Sequence, residues 1–229
     1  RQDRKAEGRE PITARLMADM FTVAGADRVV AVDLHTGQIQ GFFDFPVDHL
    51  TAVPLLAAHM AGALAGRDDV TVVSPDAGGG KLARRFANCL DERGIPAELA
   101  FIDKRRPKGT HNVAVANEVV GVVEGRACLL VDDMIDTAGT VVSAAELLTK
   151  KGAASVSILA THGLLSGPAV DRLKNGPVRE VVVTNTLPIP SEKHFDALTV
   201  LSIAPIVAEA IDAVFGDTSV SELFQGDNL

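Results

Sequence analysis

The residues best suited to chemistry in this 229-residue chain lie between Cys128 and Thr140, in C-L-L-V-D-D-M-I-D-T-A-G-T. Four apolar residues, Cys128 to Val131, run straight into the carboxylates Asp132 and Asp133, and a short loop then opens into the helical pattern V-V-S-A-A-E-L-L-T-K-K. The spacing predicts a strand, a loop and a helix. In an open parallel sheet ligands collect beyond the carboxyl ends of the strands, which puts the acidic pair against a substrate. Thr137, Ala138, Gly139 and Thr140 offer backbone N–H groups and two hydroxyls at a helix N-terminus, where unpaired donors and the helix dipole both favour an anion. Two carboxylates would repel that anion, so they suit sugar hydroxyls or a divalent cation instead. A phosphorylated sugar meets both demands.

The elements that must hold this stretch follow the same design elsewhere. After a charged segment, R-Q-D-R-K-A-E-G-R-E, read as a solvated arm, Pro11 suits a first helical turn, and Ile12, Leu16, Met20 and Val23 recur at helical spacing up to Gly25. R-V-V-A-V-D-L-H is a strand ending in Asp33 and His35, and G-Q-I-Q-G-F-F-D-F-P-V-D is a loop whose paired Phe serve an interface or local packing. An Ala-rich helix from about Pro54 to Ala65 precedes V-T-V-V-S-P-D-A-G-G-G-K, again a strand, an acidic end and glycines, followed by a helix from Lys81 to Arg93. The G-G-G-K is not a P-loop, because Leu82 stands where that motif needs Ser or Thr. E-L-A-F-I-D is a strand running into the cationic K-R-R-P-K-G-T-H-N, which alone reads as a solvated turn. Strands S-V-S-I-L-A-T-H, E-V-V-V-T and L-T-V-L-S, a polar helix near Pro168 to Lys174 and an Ala-rich helix ending near Phe215 complete the chain. This alternation predicts an α/β fold with mostly parallel sheets and helices on both faces.

A hydrophobic content of 47% is enough for a sizeable core, and a net charge of -8 argues against a general nucleic-acid binder. The two cysteines, Cys89 and Cys128, sit in apolar periodic segments without metal-ligand spacing and read as core residues in a reducing cytoplasm. No apolar run approaches the ~20 residues of a membrane span, and no signal peptide is visible, so no membrane partner is expected.

Taken together and in order, R-Q-D-R-K (1–5), D-L-H (33–35), S-P-D-A-G-G (74–79), K-R-R-P (104–107) and D-D-M-I-D-T-A-G-T (132–140) resemble the ribose-phosphate pyrophosphokinases, or phosphoribosyl pyrophosphate synthetases. T-H-G-L-L-S-G-P-A (161–169), V-V-T-N-T (182–186) and S-V-S-E-L-F (219–224) extend the resemblance over essentially the whole chain. It implies two similar phosphoribosyltransferase-like domains, the first of them incomplete: a remnant over 1–49, the second domain over 50–195, and a segment over 196–229 returning toward the first. The implied reaction transfers the β,γ-pyrophosphoryl group of ATP to the 1-hydroxyl of ribose 5-phosphate, with Mg2+, giving phosphoribosyl pyrophosphate and AMP. By the resemblance, Asp132 and Asp133 hold the ribose hydroxyls, and Asp136, Thr137, Ala138, Gly139 and Thr140 cradle the 5-phosphate. Arg1 and Gln2 match positions that contact ATP, His35 one near its phosphates and metal, and Asp76 one near the second metal and the sugar. Lys104 and Arg106 match a mobile catalytic loop, and no residue stands out as a general base.

The resemblance further implies dimers building a hexamer, and regulation by ADP and inorganic phosphate at positions matched by Gln40, Asp48, Ser219 and Ser221. Glu7 stands where many relatives carry a basic residue, which weakens anion binding there. Relatives begin well upstream of Arg1 with early strands of the first domain and part of a neighbouring subunit's adenine pocket, so the chain is expected to be shortened at its N-terminus. Two rival readings remain open. A type I phosphoribosyltransferase shares the acidic pair and phosphate loop, and a non-catalytic regulatory homologue or inert fragment shares the fold. The R-Q-D-R-K, D-L-H and K-R-R segments favour the pyrophosphokinase over the first, and the presence of Lys104, Arg106, Asp132 and Asp133 favours it over the second.

Overall fold

Apolar runs and amphipathic segments alternate along the chain. In the computed structural model, which describes residues 2–5, 8–76, 78–105 and 116–220 and omits the side chains of 104, 105, 116 and 117, they become regular elements. The first are α1 (Thr13–Val23), β1 (Val29–Val32), β2 (Val47–Leu50), α2 (Val53–Leu64) and β3 (Val70–Ser74). There follow α3 (Gly80–Asp91), β4 (Ala97–Arg105), β5 (Ala116–Val120), β6 (Ala127–Ile135) and α4 (Gly139–Lys150). The last are β7 (Ser155–Gly163), α5 (Ala169–Asn175), β8 (Glu180–Thr184), β9 (Leu198–Leu201) and α6 (Ala204–Phe215). They divide into two compact units, Arg1–Ala52 with Ala204–Leu229, and Val53–Ile203.

The second unit is a seven-stranded sheet in the order β5-β4-β3-β6-β7-β8-β9, parallel except for β5. Side chains alternate across a strand, so a strand covered on both faces must be apolar at every position. In β6 the five residues Ala127–Val131 are all buried. Cys128 and Leu130 pack with Val141, Ala145 and Leu148 of α4 and Leu173 of α5. Ala127, Leu129 and Val131 pack on the other face with Leu56 and Met60 of α2 and Phe86 and Leu90 of α3. The mostly parallel α/β architecture expected from the alternation is therefore present, with helices on both faces. Burial raises the Cys128 thiol to about 11 against a smaller opposing effect of Arg126, which suits a core residue rather than a reactive one.

The cationic segment is not simply a turn. β4 continues through Lys104 and Arg105 and pairs antiparallel with β5, Lys104 opposite Asn117, a strand whose short A-N-E-V-V run gave no periodic signal. Gly121 closes this pair at φ 116°, and a Cβ there would stand 2.7 Å from both the Leu99 carbonyl oxygen and the Ala100 Cβ. Because strain and overpacking act at one position, Gly121→Ala is expected to cost about 2–4 kcal/mol, read as a lower urea midpoint. An unchanged midpoint would contradict this close approach.

In the first unit, β1 and β2 form a two-stranded parallel sheet, and Leu50 packs with Ala210, Ala213 and Val220. Pro11 lies outside α1. Ile12 is extended, and the Ala14 N–H, a first-turn donor, goes to the Gln2 carbonyl at 3.0 Å instead of to a preceding cap. Ala18 is the buried residue of α1, while Leu16, Met20 and Val23, read as its apolar face, are exposed in this unit. G-Q-I-Q-G-F is a 3-10 turn and V-D-H-L a strand rather than loop. Phe43 stacks on Phe21 at 6.5 Å and meets Phe45 edge-on at 5.4 Å, so those rings serve packing within the unit.

Asp33 closes β1. It is buried at φ 42°, and its Oδ2 accepts the Ala52 N–H at 2.8 Å. Asp33→Ala leaves that donor without its acceptor, an expected loss of about 1–3 kcal/mol in denaturant unfolding. A stability equal to wild type would show that Ala52 finds another acceptor.

Candidate active site

From β3 the chain turns to β4 on one side of the sheet, then returns as β6 on the other, so the winding direction reverses between β3 and β6. Such a switch point is where an open parallel sheet leaves a crevice beyond its carboxyl ends. Val73 lies opposite Leu130, so Asp76, in the turn just past β3, comes level with Asp133 near the end of β6. Phe101 lies opposite Ser74, so the backbone of Lys104, three residues further, also reaches the level of the turn after β3. These three strand ends bring together positions more than fifty residues apart in sequence.

The turn after β3 is fixed by Asp76, whose Oδ1 accepts the N–H groups of Gly78 at 2.8 Å and Gly79 at 3.1 Å. Gly79 lets the turn pack close, because a Cβ there would stand 2.6 Å from Ser74 Oγ and displace that hydroxyl. On β6 the apolar run stops at the half-buried Asp132 and Asp133. The Asp133 N–H donates to Asp132 Oδ1 at 2.9 Å, yet Asp132 is raised to about 7. Burial is the main cause, followed by the Asp133 carboxylate beside it and, more weakly, by Asp76. The strand end thus concentrates negative charge that hydroxyl donors or a cation would relieve.

The loop from Asp136 into α4 is shaped by one unusual backbone conformation. Ala138, buried, adopts the left-handed region at φ 59°, ψ 3°, and makes no side-chain cap for α4. Gly139 and Thr140 then begin the helix, whose first N–H groups lack partners within it. The Asp136 carbonyl accepts the Ser166 N–H at 2.9 Å, the Ala138 carbonyl accepts the Val142 N–H at 3.0 Å, and the Thr137 carbonyl accepts Arg172 Nη1 at 2.9 Å. The segment after β7 is locked in turn: the N–H groups of Leu164 and Leu165 both donate to the Ile135 carbonyl, and Lys193 Nζ donates to Leu164 O at 2.8 Å. Ser166, Arg172 and Lys193 were not singled out from sequence. A polar helix and an S-G-P turn are ordinary surface features, and only their position beside the loop distinguishes them.

Asp132, Asp133, Asp136, Thr137, Ala138, Gly139 and Thr140 are therefore gathered at one end of the second unit, with Asp76. Gln2 and His35 belong to the first unit, where the Thr36 hydroxyl donates to Asp3 Oδ2 at 3.2 Å and so ties the arm to the turn after β1. His35 is exposed. In the same unit Gln40 Nε2 donates to the Gly37 carbonyl, Asp48 pairs with Arg28 at 2.7 Å, and Ser219 is exposed. Arg1, Glu7, Arg106 and Ser221 lie outside the described residues, as does the Lys104 side chain. Among the described residues no three His, Cys, Asp or Glu side chains converge as a ready-made cation cage. No helix among them is long and apolar enough to cross a membrane.

Known proteins resemble the chain over nearly its whole length. The phosphoribosyl synthetase-associated domain matches residues 87–225. The ribose-phosphate pyrophosphokinase of Clostridium acetobutylicum is 55% identical over 225 residues, covering 98% of this chain and 68% of the relative. That of Streptomyces coelicolor is 58% identical over 224 residues, covering 98% and 67%. The crystal structure of phosphoribosylpyrophosphate synthetase from Mycobacterium smegmatis superposes with a TM-score of 0.85 at 53% identity, over 94% of this chain and 68% of that one. The chain spans about two thirds of the length of each.

Proposed function

Because the chain belongs to the ribose-phosphate pyrophosphokinase family, we propose that the strand ends of its second unit hold ribose 5-phosphate while ATP donates its β,γ-pyrophosphoryl group to the 1-hydroxyl of the sugar. The products are phosphoribosyl pyrophosphate and AMP. The observation that carries the reading is the left-handed turn at Ala138. It follows directly on the acidic pair at the switch point and gives onto a helix N-terminus, so a sugar and its phosphate find complementary groups a few residues apart.

Asp132 and Asp133 accept hydrogen bonds from the ribose hydroxyls, and Asp136 to Thr140 cradle the 5-phosphate. Arg1, Gln2 and His35 contact ATP, a role supported for Gln2 and His35 by the bond that ties the Asp3 arm to Thr36. Lys104 and Arg106 meet the transferring group. Little covalent chemistry is asked of the protein in such a transfer. It aligns the attacking hydroxyl in line and offsets charge growing on the phosphorus oxygens.

The acidic strand ends fit magnesium, a hard cation that the protein characteristically holds through one or two carboxylates together with substrate oxygens. Asp76 is the carboxylate proposed for the cation, and the raised Asp132 carboxyl on the neighbouring strand marks a charge in need of compensation. Magnesium supplies Lewis-acid neutralisation of the phosphate oxygens when bound. The imidazole of His35, matched by resemblance to a position near metal and phosphates, suits the phosphates better.

Gln40, Asp48, Ser219 and Ser221 form the regulatory positions for ADP and phosphate, with Glu7 weakening the anion's hold. The working assembly is a cytoplasmic homo-oligomer of dimers built into a hexamer. Incubation of the purified protein with ATP, ribose 5-phosphate and Mg2+, without any nucleobase, should release AMP. Absence of AMP, with consumption of phosphoribosyl pyrophosphate on adding a base, would replace this reading by a phosphoribosyltransferase. Binding of both substrates without turnover would replace it by a regulatory homologue.

A further inference from the structure

The three carbonyl oxygens of the turn between β6 and α4 are each engaged by a separate donor, two of them backbone N–H groups and the third the Arg172 guanidinium on Thr137. That third bond sits at a vulnerable place. The peptide plane joining Thr137 to Ala138 sets the φ of Ala138, and a residue with a Cβ is disfavoured at φ 59° relative to the right-handed region. Flipping that plane would relieve Ala138, turn the Thr137 carbonyl toward a bound anion and turn the Ala138 N–H away from it. Two features of the sequence oppose the flip. Arg172 Nη1 holds the Thr137 oxygen at 2.9 Å. Gly139 leaves room for the guanidinium, since a Cβ at that position would stand 3.2 Å from Nη1.

We propose that Arg172 is a positioning residue for the phosphate of the sugar substrate, holding the Thr137–Ala138 peptide in the orientation that presents N–H groups to the anion. Its charge beside the turn favours the same phosphate, but the backbone orientation is its main effect. The inference rests on the assignment of this turn to the 5-phosphate.

The test uses Arg172→Gln, with steady-state kinetics and calorimetric titration of ribose 5-phosphate. The affinity for ribose 5-phosphate should fall about tenfold or more, the scale of one hydrogen bond to a charged group. The KM for ATP should stay within about twofold and the melting temperature should be unchanged, because Arg172 is exposed and outside the core. The distinguishing arm is Arg172→Gln with Ala138→Gly. Glycine accepts the left-handed conformation without strain, so the pair should regain most of the lost affinity. Wild-type affinity in Arg172→Gln overturns the inference. A double variant no better than the single overturns the positioning role in favour of charge alone. A wild-type protein that binds ribose 5-phosphate but forms no AMP sinks the reaction while leaving this inference testable by titration. Failure of the wild type to bind ribose 5-phosphate sinks both.

Discussion

Lys104→Ala is expected to lower kcat by at least ~10²-fold, the scale for losing one electrostatic stabiliser of a developing charge, while the KM values for ATP and ribose 5-phosphate change little. Two observations and one physical reason converge on this position. Lys104 lies in β4, whose register brings its backbone to the level of the turn at Asp76, which adjoins the part of β6 that bears the acidic pair. Lys104 is also paired through the backbone with Asn117, so it stands on a strand rather than in a loop. Finally, pyrophosphoryl transfer spreads negative charge over oxygens that a cation can meet as the charge grows, and an interaction made only then appears in kcat. AMP formation under saturation with both substrates measures it. Full kcat with raised KM would reduce Lys104 to a ground-state contact.

Asp132→Asn should have two effects of opposite sign. With the charged acceptor replaced by an amide, kcat/KM for ribose 5-phosphate should fall by roughly 10²-fold, since each hydrogen bond to a charged group is worth about 1.5–3 kcal/mol. Stability should rise above neutrality. In the unfolded chain this carboxyl titrates near 3.8, whereas burial and the neighbouring Asp133 and Asp76 raise it to about 7 in the native state. Between those values the native protein keeps a proton that the unfolded chain releases, so stability falls as pH rises, and the whole cost is present above about pH 7. The Asn variant carries no such cost. Its urea midpoint should exceed that of the wild type at pH 8, and the gap should shrink as pH falls toward 4. Mg2+ should raise the wild-type melting temperature at pH 8 more than the variant's, as expected for a ligand attracted to the charge. A variant less stable than wild type at pH 8 would show that the Asp132 charge is already well compensated.

The loop between β6 and α4 was legible because its signals are local. An apolar run ending in carboxylates, then Thr and Gly before a helical period, specifies a strand, a turn and a helix within thirteen residues, and the structure has β6, the turn and α4 there. The boundaries of α2 and α3 and the end of α6 were legible to within a residue or two for the same reason. Reading failed where partners decide. β2 and β5 are short runs that become strands by pairing with β1 and β4, and the helical spacing of Ile12, Leu16, Met20 and Val23 did not single out Ala18, the buried residue of α1. K-R-R looked like a solvated turn because nothing in six or seven residues announces that a strand continues into a charged segment.

By itself the sequence determined the α/β class, the order of most elements, the acidic strand end with its loop and helix and, through motifs spread over the chain, the family. Tertiary structure decided what surrounds them: the switch point between β3 and β6 that levels Asp76 with Asp133, the crowding that raises Asp132, and the reach of Arg172 across to the Thr137 carbonyl. The division has a physical cause. Propensity and hydrophobic period act over a few residues and so are written in the sequence, whereas desolvation, charge coupling and hydrogen bonds across thirty-five residues of separation exist only once the strands are packed side by side.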